Sequence, residues 1–181
     1  MKVKENFKVT AVETGKEYWI SRSIAVAVIV CGKDLSGKNE NVFLIHKRGP
    51  GCPDNIGKWS VNCGYINWGE TIKQAAIRET FEETGLKLNE ADLTFIGYND
   101  PIGDGKENVT LRFIATVDKT LLQCLLTTQT INTDTKNRGG EDNEIEEFKL
   151  INATVSSIDS LNEEGWAFEH DLLLKSIIDK L

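Results

Sequence analysis

Hydrophobic residues occur in short runs and alternating patterns along most of the chain, and polar segments separate them. The runs are rich in β-branched and aromatic residues, which are typical of β-strands. Two of the three prolines and three glycines fall within residues 48–57, which predicts an irregular loop there. The pattern predicts strands at residues 7–12, 18–30, 42–46, 59–61, 65–66, 93–98, 108–117 and 145–151.

A second spacing, with a period near that of an α-helix, predicts helices between and after the strands. The clearest helix covers residues 71–84, and a short one is expected at 156–161. Residues 119–130 are ambiguous between strand and helix. The order of elements indicates an α/β fold, with a mixed sheet between helical layers and residues 1–181 as one domain. The residues at helical spacing near the C-terminus are Leu172, Leu173, Ile177, Ile178 and Leu181.

The helix at residues 71–84 has recognisable ends. Thr71 and Gln74 form a capping-box pattern at its start, and Gly85 can end it in the left-handed conformation. Because Ile77 and Phe81 are four positions apart, they share one face of the helix. We expect that face to pack in the core.

The last turn of this helix carries Glu79, Glu82 and Glu83. Acidic side chains are unfavourable near a helix C-terminus, and like charges three or four positions apart repel each other. A hard cation such as Mg²⁺ or Mn²⁺ would relieve this repulsion, because it prefers carboxylate oxygens. The alternative is a solvated acidic face in which Arg78 and Glu82 form a salt bridge.

Composition restricts the class of protein further. A chain of 181 residues that is 40% hydrophobic can bury a core without disulfides or a structural metal. With 28 acidic and 21 basic residues, the net charge of -7 argues against nucleic-acid or membrane partners. The four cysteines form no CxxC pair, and the N-terminus lacks an apolar signal segment. We therefore expect a cytoplasmic protein with reduced thiols.

The stretch GYINWGETIKQAAIRETFEETGL, which begins at Gly64, resembles the Nudix box, G-x5-E-x7-R-E-U-x-E-E-x-G-U, where U is a bulky aliphatic residue. One position departs from the pattern, because Thr80 stands where an aliphatic residue is usual. The resemblance extends over most of the chain and implies the Nudix fold, an α/β/α sandwich. The matching residues are Gly64, Glu70, Arg78, Glu79, Glu82, Glu83, Gly85 and Leu86.

The resemblance also implies roles for the residues of the box. Arg78 and Glu70 would orient the acidic side chains of the helix. The backbone carbonyl of Cys63, which precedes the box glycine, would be a further metal ligand. The carboxylates that bind Mg²⁺ or Mn²⁺ would be Glu79, Glu82 and Glu83.

The proton acceptor for hydrolysis is less well defined by the resemblance. In some members of the family it is a glutamate of the box, and in others it lies on a late loop. Glu141 and Glu144 are the loop candidates in this chain. The alternative interpretation of both is a solvated acidic loop.

Several basic residues at strand edges or in loops could contact phosphate groups. Each alone is more often a surface charge. His46 and His170 have no partner at metal-ligand spacing, so we interpret both as structural. The candidate substrate-binding residues are Arg22, Arg48 and Arg112, with Lys47 as a fourth basic side chain.

The resemblance implies a metal-dependent hydrolase that cleaves the pyrophosphate linkage of a nucleoside diphosphate joined to another moiety. Residues 166–174, WAFEHDLLL, resemble ADP-ribose pyrophosphatase-type members and favour ADP-ribose or a nucleotide sugar. The alternative is a non-catalytic sensor that binds ADP-ribose or a related nucleotide. Such sensors tend to have degraded acids and a DNA-binding domain, and the printed sequence shows neither. The expected partner is a small nucleotide, and a homodimer stays open.

Overall fold

Two long buried strands form the centre of the protein in the computed structural model, which describes residues 6–34, 40–101, 108–127 and 143–181. These strands are β3, Ile24–Lys33, and β4, Val42–Arg48. Nearly every residue of both strands is buried on one face of the sheet or the other. Their apolar runs are therefore continuous, as in strands covered on both faces.

The other strands extend the sheet on both sides of this pair. β8, Val109–Asp118, runs parallel to β3 along its whole length, and β7, Leu93–Asn99, pairs antiparallel with β8. β9, Ile145–Asn152, pairs antiparallel with β4. The result is a mixed sheet, as predicted.

β3 and β4 pair only over three residues each, from Val30↔Leu44 to Gly32↔Val42, and then diverge. Two short strands fill the resulting gap. β5, Trp59–Ser60, pairs with β4, and β6, Asn62–Tyr65, pairs with the first half of β3. This divergence matters for function, because β6 leads directly into the helix that carries the acidic residues.

Helices cover both faces of the sheet. On one face lie α1, Ile72–Thr84, and α2, Lys119–Thr127. On the other lie α3, Val155–Asp159, and α4, His170–Lys175. Two apolar clusters, one on each face, fill the space between the helices and the strands. The predicted α/β/α sandwich is confirmed.

Some element boundaries differ from the prediction. The single strand expected at residues 18–30 is two strands, because β2, Glu17–Ile20, pairs with β1, Phe7–Thr10, in a separate hairpin. The polar residues Ser21, Arg22 and Ser23 interrupt the apolar run between β2 and β3. The C-terminal helix is also shorter than expected.

Residues 119–127 of the ambiguous segment are helical, and Leu122 is the side chain that they bury. Short 3-10 helices occur at Glu90–Asp92 and Ile178–Lys180. The end of the ambiguous segment, residues 128–130, lies outside the described residues. Within the described part of the chain, none of the helices has the length and apolar character needed to cross a bilayer.

The ends of α1 are as predicted, but its most buried face is a different one from the face that was expected. Thr71 and Gln74 form both hydrogen bonds of the capping box, and Gly85 adopts a left-handed φ of 76°. The expectation that Ile77 and Phe81 pack in the core holds only in part, since both are partly buried and only Ile77 packs against the core cluster. Small side chains face the sheet instead, which lets α1 approach β6 closely. The buried residues of α1 are Ala75, Ala76, Thr80, Glu83 and Thr84.

Candidate active site

A cavity of about 1090 Å³ opens where β3 and β4 diverge. Its wall combines residues of β4, β6 and α1 with residues that precede β3, β9 and α4. Carboxylates and guanidinium groups lie on the same wall, so the cavity brings together both signs of charge. The charged residues on the wall are Arg22, Arg48, Asp54, Glu79, Glu83, Glu144 and Glu169.

Arg78 organises the acidic residues beside this cavity. Its Nε and Nη2 donate to both carboxylate oxygens of Glu70, at 2.9 and 2.6 Å. Its Nη1 donates to Glu79 Oε1 at 2.7 Å and to Glu82 Oε2 at 2.9 Å. The Tyr65 carbonyl accepts a further bond from Nη2 at 2.9 Å. One guanidinium therefore fixes three carboxylates, and the hydrogen bonds from Arg78 lower the pKa of Glu70.

The position of Glu79 explains the box glycine. A Cβ atom added to Gly64 would lie 2.2 Å from Glu79 Cδ, much closer than nonbonded carbon atoms approach. The Glu79 carboxylate thus packs directly against the backbone of β6. Only glycine at position 64 leaves room for it.

Glu83 is the most buried of the three helix acids, with 7% of the residue exposed. Its Oε2 accepts a hydrogen bond from the Cys63 backbone N–H at 3.1 Å. Burial and, next, the negative charge of Glu79 raise the pKa of Glu83 well above its usual value. Burial also raises the pKa of Glu79, despite the opposing effect of Arg78. Both shifts mean that the charged carboxylates lack sufficient compensation from the protein.

The chemistry of these residues fits a divalent cation. Glu79 and Glu83 line the cavity, and the charge of Glu144 acts on the pKa of both. Carboxylate oxygens are the donors that Mg²⁺ and Mn²⁺ prefer, and a cation would relieve the cost of burying these charges. Among the described residues, however, no three His, Cys, Asp or Glu side chains are already grouped as a ligand set. The fit therefore rests on donor type and charge.

The remaining predicted residues of the box take different positions. Glu82 contacts Arg78 but is not among the side chains on the cavity wall. Cys63 lies on the wall, and its backbone N–H contacts Glu83. Burial raises the pKa of the Cys63 thiol, so this sulfur is not an activated nucleophile.

The late loop reaches the site through Glu144. Its carbonyl accepts hydrogen bonds from the Gly49 N–H at 2.6 Å and from Cys52 Sγ at 3.2 Å. A Cβ on Gly49 would lie 2.2 Å from the carbonyl oxygen of Asn143, so the two loops pack closely. Glu144 is therefore held against the cavity. Glu141, the other loop candidate, lies outside the described residues.

Two of the three predicted arginines line the cavity. Arg48 donates to the carbonyl and side chain of Asp54, at 3.1 and 3.3 Å, and its guanidinium lies 5.0 Å from the centre of the Phe168 ring. Arg22 contacts the Asp100 carboxylate and the Pro101 carbonyl.

Arg112 is not among the residues on the cavity wall, and burial lowers its pKa. Lys47 also points elsewhere, since its Nζ lies 2.7 Å from Glu164 Oε2. Adjacent strand residues face opposite sides of the sheet, which separates Lys47 from Arg48.

Both histidines lie on the cavity wall, which their sequence context did not indicate. His170 Nδ1 accepts the Val61 backbone N–H at 3.2 Å, so the neutral ring carries its hydrogen on Nε2. Burial lowers the pKa of both His46 and His170 to about 3. They are therefore neutral imidazoles near neutral pH.

Sequence reasoning also missed Asp54, Trp166 and Phe168, which line the same cavity. Asp54 lies in the loop at residues 48–57, and no motif there distinguishes it from its neighbours. The two aromatic residues belong to the run WAFEH, in which no single position has a predicted role. Phe168 and Glu169 both have left-handed backbones, with φ of 54° and 58°. This unusual backbone turns the chain into α4 and brings Phe168 to the cavity.

The chain belongs to the NUDIX domain family. The model of that family matches residues 21–172, which include the box, the cavity and all strands of the large sheet. Among curated proteins, an octanoyltransferase of Myxococcus xanthus is 36% identical over 74 residues. These residues are 41% of this chain and 18% of that protein, so the match spans less than a fifth of its length.

Solved structures share the fold at low identity. A MutT/nudix family protein from Enterococcus faecalis has a TM-score of 0.63 and 14% identity, over 90% of this chain and 64% of that one. The NUDIX domain of Shewanella oneidensis NrtR, complexed with ADP ribose, has a TM-score of 0.59 and 12% identity, over 89% of each chain.

A third structure is a bifunctional NMN adenylyltransferase/ADP ribose pyrophosphatase from Francisella tularensis, complexed with AMP and a Mn ion. Its TM-score is 0.58 at 16% identity, over 88% of this chain and 42% of that one. At these identities the likeness establishes the fold alone.

Proposed function

We propose that this protein is a divalent-metal-dependent hydrolase that cleaves the diphosphate linkage of a nucleoside diphosphate joined to a second moiety. The observation that carries the proposal is the carboxylate arrangement around Arg78. Glu79 and Glu83 face a cavity in which their charges are poorly compensated, and Arg22 and Arg48 face the same cavity. One wall of the cavity thus carries both the carboxylates that would bind a cation and the arginines that would bind phosphate.

The residues divide into three groups by role. Glu79 and Glu83 would hold Mg²⁺ or Mn²⁺, with the Cys63 carbonyl as a further ligand. Glu82 would contribute either to the ion or to fixing Arg78. Arg78 and Glu70 keep the helix acids in place through their bidentate pair. A bound divalent ion supplies charge to screen the phosphate oxygens and lowers the pKa of the attacking water.

Hydrolysis then requires a proton acceptor and contacts to the diphosphate. Water attacks one phosphorus, a new P–O bond forms, and the bond from that phosphorus to the bridging oxygen breaks. The proton of the water passes to a carboxylate, for which Glu144 is our candidate because its backbone is held beside the cavity and its charge acts on Glu79 and Glu83. Glu141 stays a second candidate on the same loop. Arg48 and Arg22 would bind phosphate oxygens, as guanidinium groups commonly do.

The substrate we favour is ADP-ribose or a nucleotide sugar. The cavity of about 1090 Å³ is large enough for a dinucleotide-sized ligand. Trp166 and Phe168 supply aromatic surface on its wall, against which a base or sugar could pack. Of the solved structures with this fold, the NrtR NUDIX domain is complexed with ADP ribose, and the Francisella tularensis protein is an ADP ribose pyrophosphatase.

A sensor that binds ADP-ribose without turnover is the second candidate, because NrtR shares this fold. The two candidates differ in the fate of the ligand. A sensor needs the arginines and the aromatic wall, but it does not need Glu79, Glu83 and Glu144 together. The presence of all three acids at one cavity favours the enzyme.

Incubation with a nucleotide panel in Mg²⁺, Mn²⁺ or EDTA tests the proposal. We expect ADP-ribose or a nucleotide sugar to yield two monophosphate products only when a divalent ion is present. Glu83→Gln should reduce kcat by at least about 10²-fold, as loss of a charged group that acts in the transition state does. Tight ADP-ribose binding without any product, in every metal, would establish the sensor instead.

A further inference from the structure

Phe168 is an aromatic side chain on the cavity wall whose backbone is strained. Its φ of 54° lies in the left-handed region, and Glu169 follows with a φ of 58°. This conformation is uncommon for residues other than glycine and costs free energy. Among the described residues that make up the two apolar clusters beside the sheet, Phe168 does not occur. Core packing therefore does not explain why the chain places a phenylalanine here.

The ring of Phe168 packs against two side chains of the cavity wall. The central carbon of the Arg48 guanidinium lies over the ring, 5.0 Å from its centre. The His170 ring lies at 66° to it, with the two centres 5.5 Å apart. A guanidinium within about 6 Å of an aromatic face is attracted by the negative charge of that face. The strained backbone thus brings an aromatic face to Arg48.

Arg48 is a nearly buried cation that the protein holds from two directions. Only 7% of the residue is exposed. Its Nε and Nη2 atoms donate to the carbonyl and the carboxylate of Asp54, at 3.1 and 3.3 Å. These two bonds do not use Nη1, which carries two N–H donors of its own. One edge and one face of the guanidinium are therefore fixed, and the group lies on the cavity wall.

We propose that Phe168 is a positioning residue, which holds Arg48 in the orientation that binds a diphosphate. The ring covers one face of the guanidinium, Asp54 fixes one edge, and Nη1 donates to phosphate oxygens in the cavity. The inference rests on the proposed function, because it takes Arg48 as a phosphate contact. This role differs from packing against the base or sugar of a nucleotide, since Arg48 already occupies one face of the ring.

A ligand without base or sugar separates the two roles of Phe168. Methylenediphosphonate is a diphosphate analogue whose P–C–P bridge is not hydrolysed, so titration calorimetry can measure its affinity in Mg²⁺. Phe168→Tyr keeps the aromatic face, whereas Phe168→Leu removes it and keeps an apolar side chain. Neither variant relieves the backbone strain, because neither introduces glycine. Phe168→Leu in the background of Arg48→Gln, which has no guanidinium, tests whether the ring acts through Arg48.

We expect Phe168→Leu to weaken methylenediphosphonate binding by about 5–30-fold, which corresponds to a cation–π contact largely removed from water. Phe168→Tyr should stay within about 3-fold of the parent. In the Arg48→Gln background, the change to leucine should alter the affinity by less than about 2-fold. If Arg48→Gln does not fold, the comparison of Phe168→Tyr with Phe168→Leu decides the question.

Three results would overturn the positioning role. They are a parent that does not bind methylenediphosphonate, an unchanged affinity in Phe168→Leu, and an equal loss with and without the Arg48 guanidinium. Each of them is compatible with cleavage of nucleotides by the parent, so the hydrolase proposal would stand. If binding follows the expected pattern but no nucleotide is cleaved in any metal, the hydrolase proposal fails and the role of Phe168 in phosphate binding remains.

Discussion

At the scale of single residues, Arg78 and Gly64 determine where the carboxylates of the helix lie. The box acids, Arg78 and Gly64 all stand together in the structure, because one helix and the strand before it carry them. Thr71 and Gly85 likewise cap that helix as predicted. The residues that contact each other lie close together in the sequence. The spacing of residue types is therefore enough to predict these contacts.

Residues that meet through distant parts of the chain were not predictable in this way. His46 and Glu83 are 37 positions apart by their numbers, and His170 meets Val61 from the other end of the chain. Neither pair leaves a spacing signal. Arg112 is a related case, because its strand was predicted but its absence from the cavity wall was not, and its role in substrate binding stays a prediction.

The close approach of Gly64 and Glu79 yields a prediction. Gly64→Ala places a Cβ where Glu79 Cδ lies, so the carboxylate must move. A displacement of about 1 Å at a reacting site commonly costs about 10²-fold in rate. We expect kcat/KM for the best substrate of the panel to fall by that amount. Circular dichroism should show an unchanged fold, and full activity would mean that Glu79 is not needed where it lies.

Thr80, the one departure from the box, yields a second prediction. It is fully buried, and its hydroxyl donates to the Ala76 carbonyl at 2.8 Å. The Ala76 carbonyl is a backbone group of the same helix, so removing the hydroxyl does not leave it without a hydrogen-bond partner. Thr80→Val should change the free energy of unfolding by less than about 1 kcal/mol and leave hydrolysis unaltered. Urea titration measures the first quantity, and a loss above about 2 kcal/mol would contradict this account.

At the scale of elements, the sequence predicted that the helix α1 exists, but it did not predict which side of α1 packs most closely against the sheet. The period of α1 was evident, but both of its sides carry apolar residues early in the helix. The sequence alone could not tell which side meets the sheet. Close packing against β6 selects the side with alanine and threonine. Ile77 is partly buried against the core cluster, and it lines a small surface groove with Phe81 and Leu88.

A comparison of two phenylalanines tests this orientation. Phe43 in β4 is fully buried, whereas Phe81 is only partly buried and has Lys87 Nζ 6.0 Å from its ring centre. Phe43→Ala should cost about 3–5 kcal/mol of unfolding free energy, as large-to-small core changes do. Phe81→Ala should cost at least about 1 kcal/mol less, because less surface is removed from water on folding. If both variants lose the same unfolding free energy in denaturant titration, Phe81 is as well buried as Phe43.

At the scale of the whole molecule, the site depends on the divergence of β3 and β4, which no sequence pattern signalled. Strand register is set by pairing between distant segments, and the short strands β5 and β6 gave only weak signals. Where the two strands diverge, acidic and basic side chains line the cavity next to the core. Buried ionisable groups tie global stability to pH, even where they take no part in the reaction.

His170 provides the test of that link. Burial, and then the positive charges of His46, Arg112 and Arg48, lower its pKa from 6.5 to about 3. A group with a depressed pKa in the folded state binds fewer protons than in the unfolded state. Its contribution is complete above pH 6.5 and is lost as the pH falls toward 3. His170→Asn keeps an acceptor for the Val61 N–H, but it does not titrate.

We therefore expect the parent to lose stability relative to His170→Asn as the pH falls from 6.5 to 4.5, by about 1.4 kcal/mol for each pH unit at most. His46 titrates in the same range and its charge lowers the pKa of His170, so the difference between the two proteins includes the coupling between the two histidines. Urea unfolding at a series of pH values in EDTA measures the two free energies. Curves that stay parallel across this range would mean that His170 is protonated in the folded protein or is accessible to water.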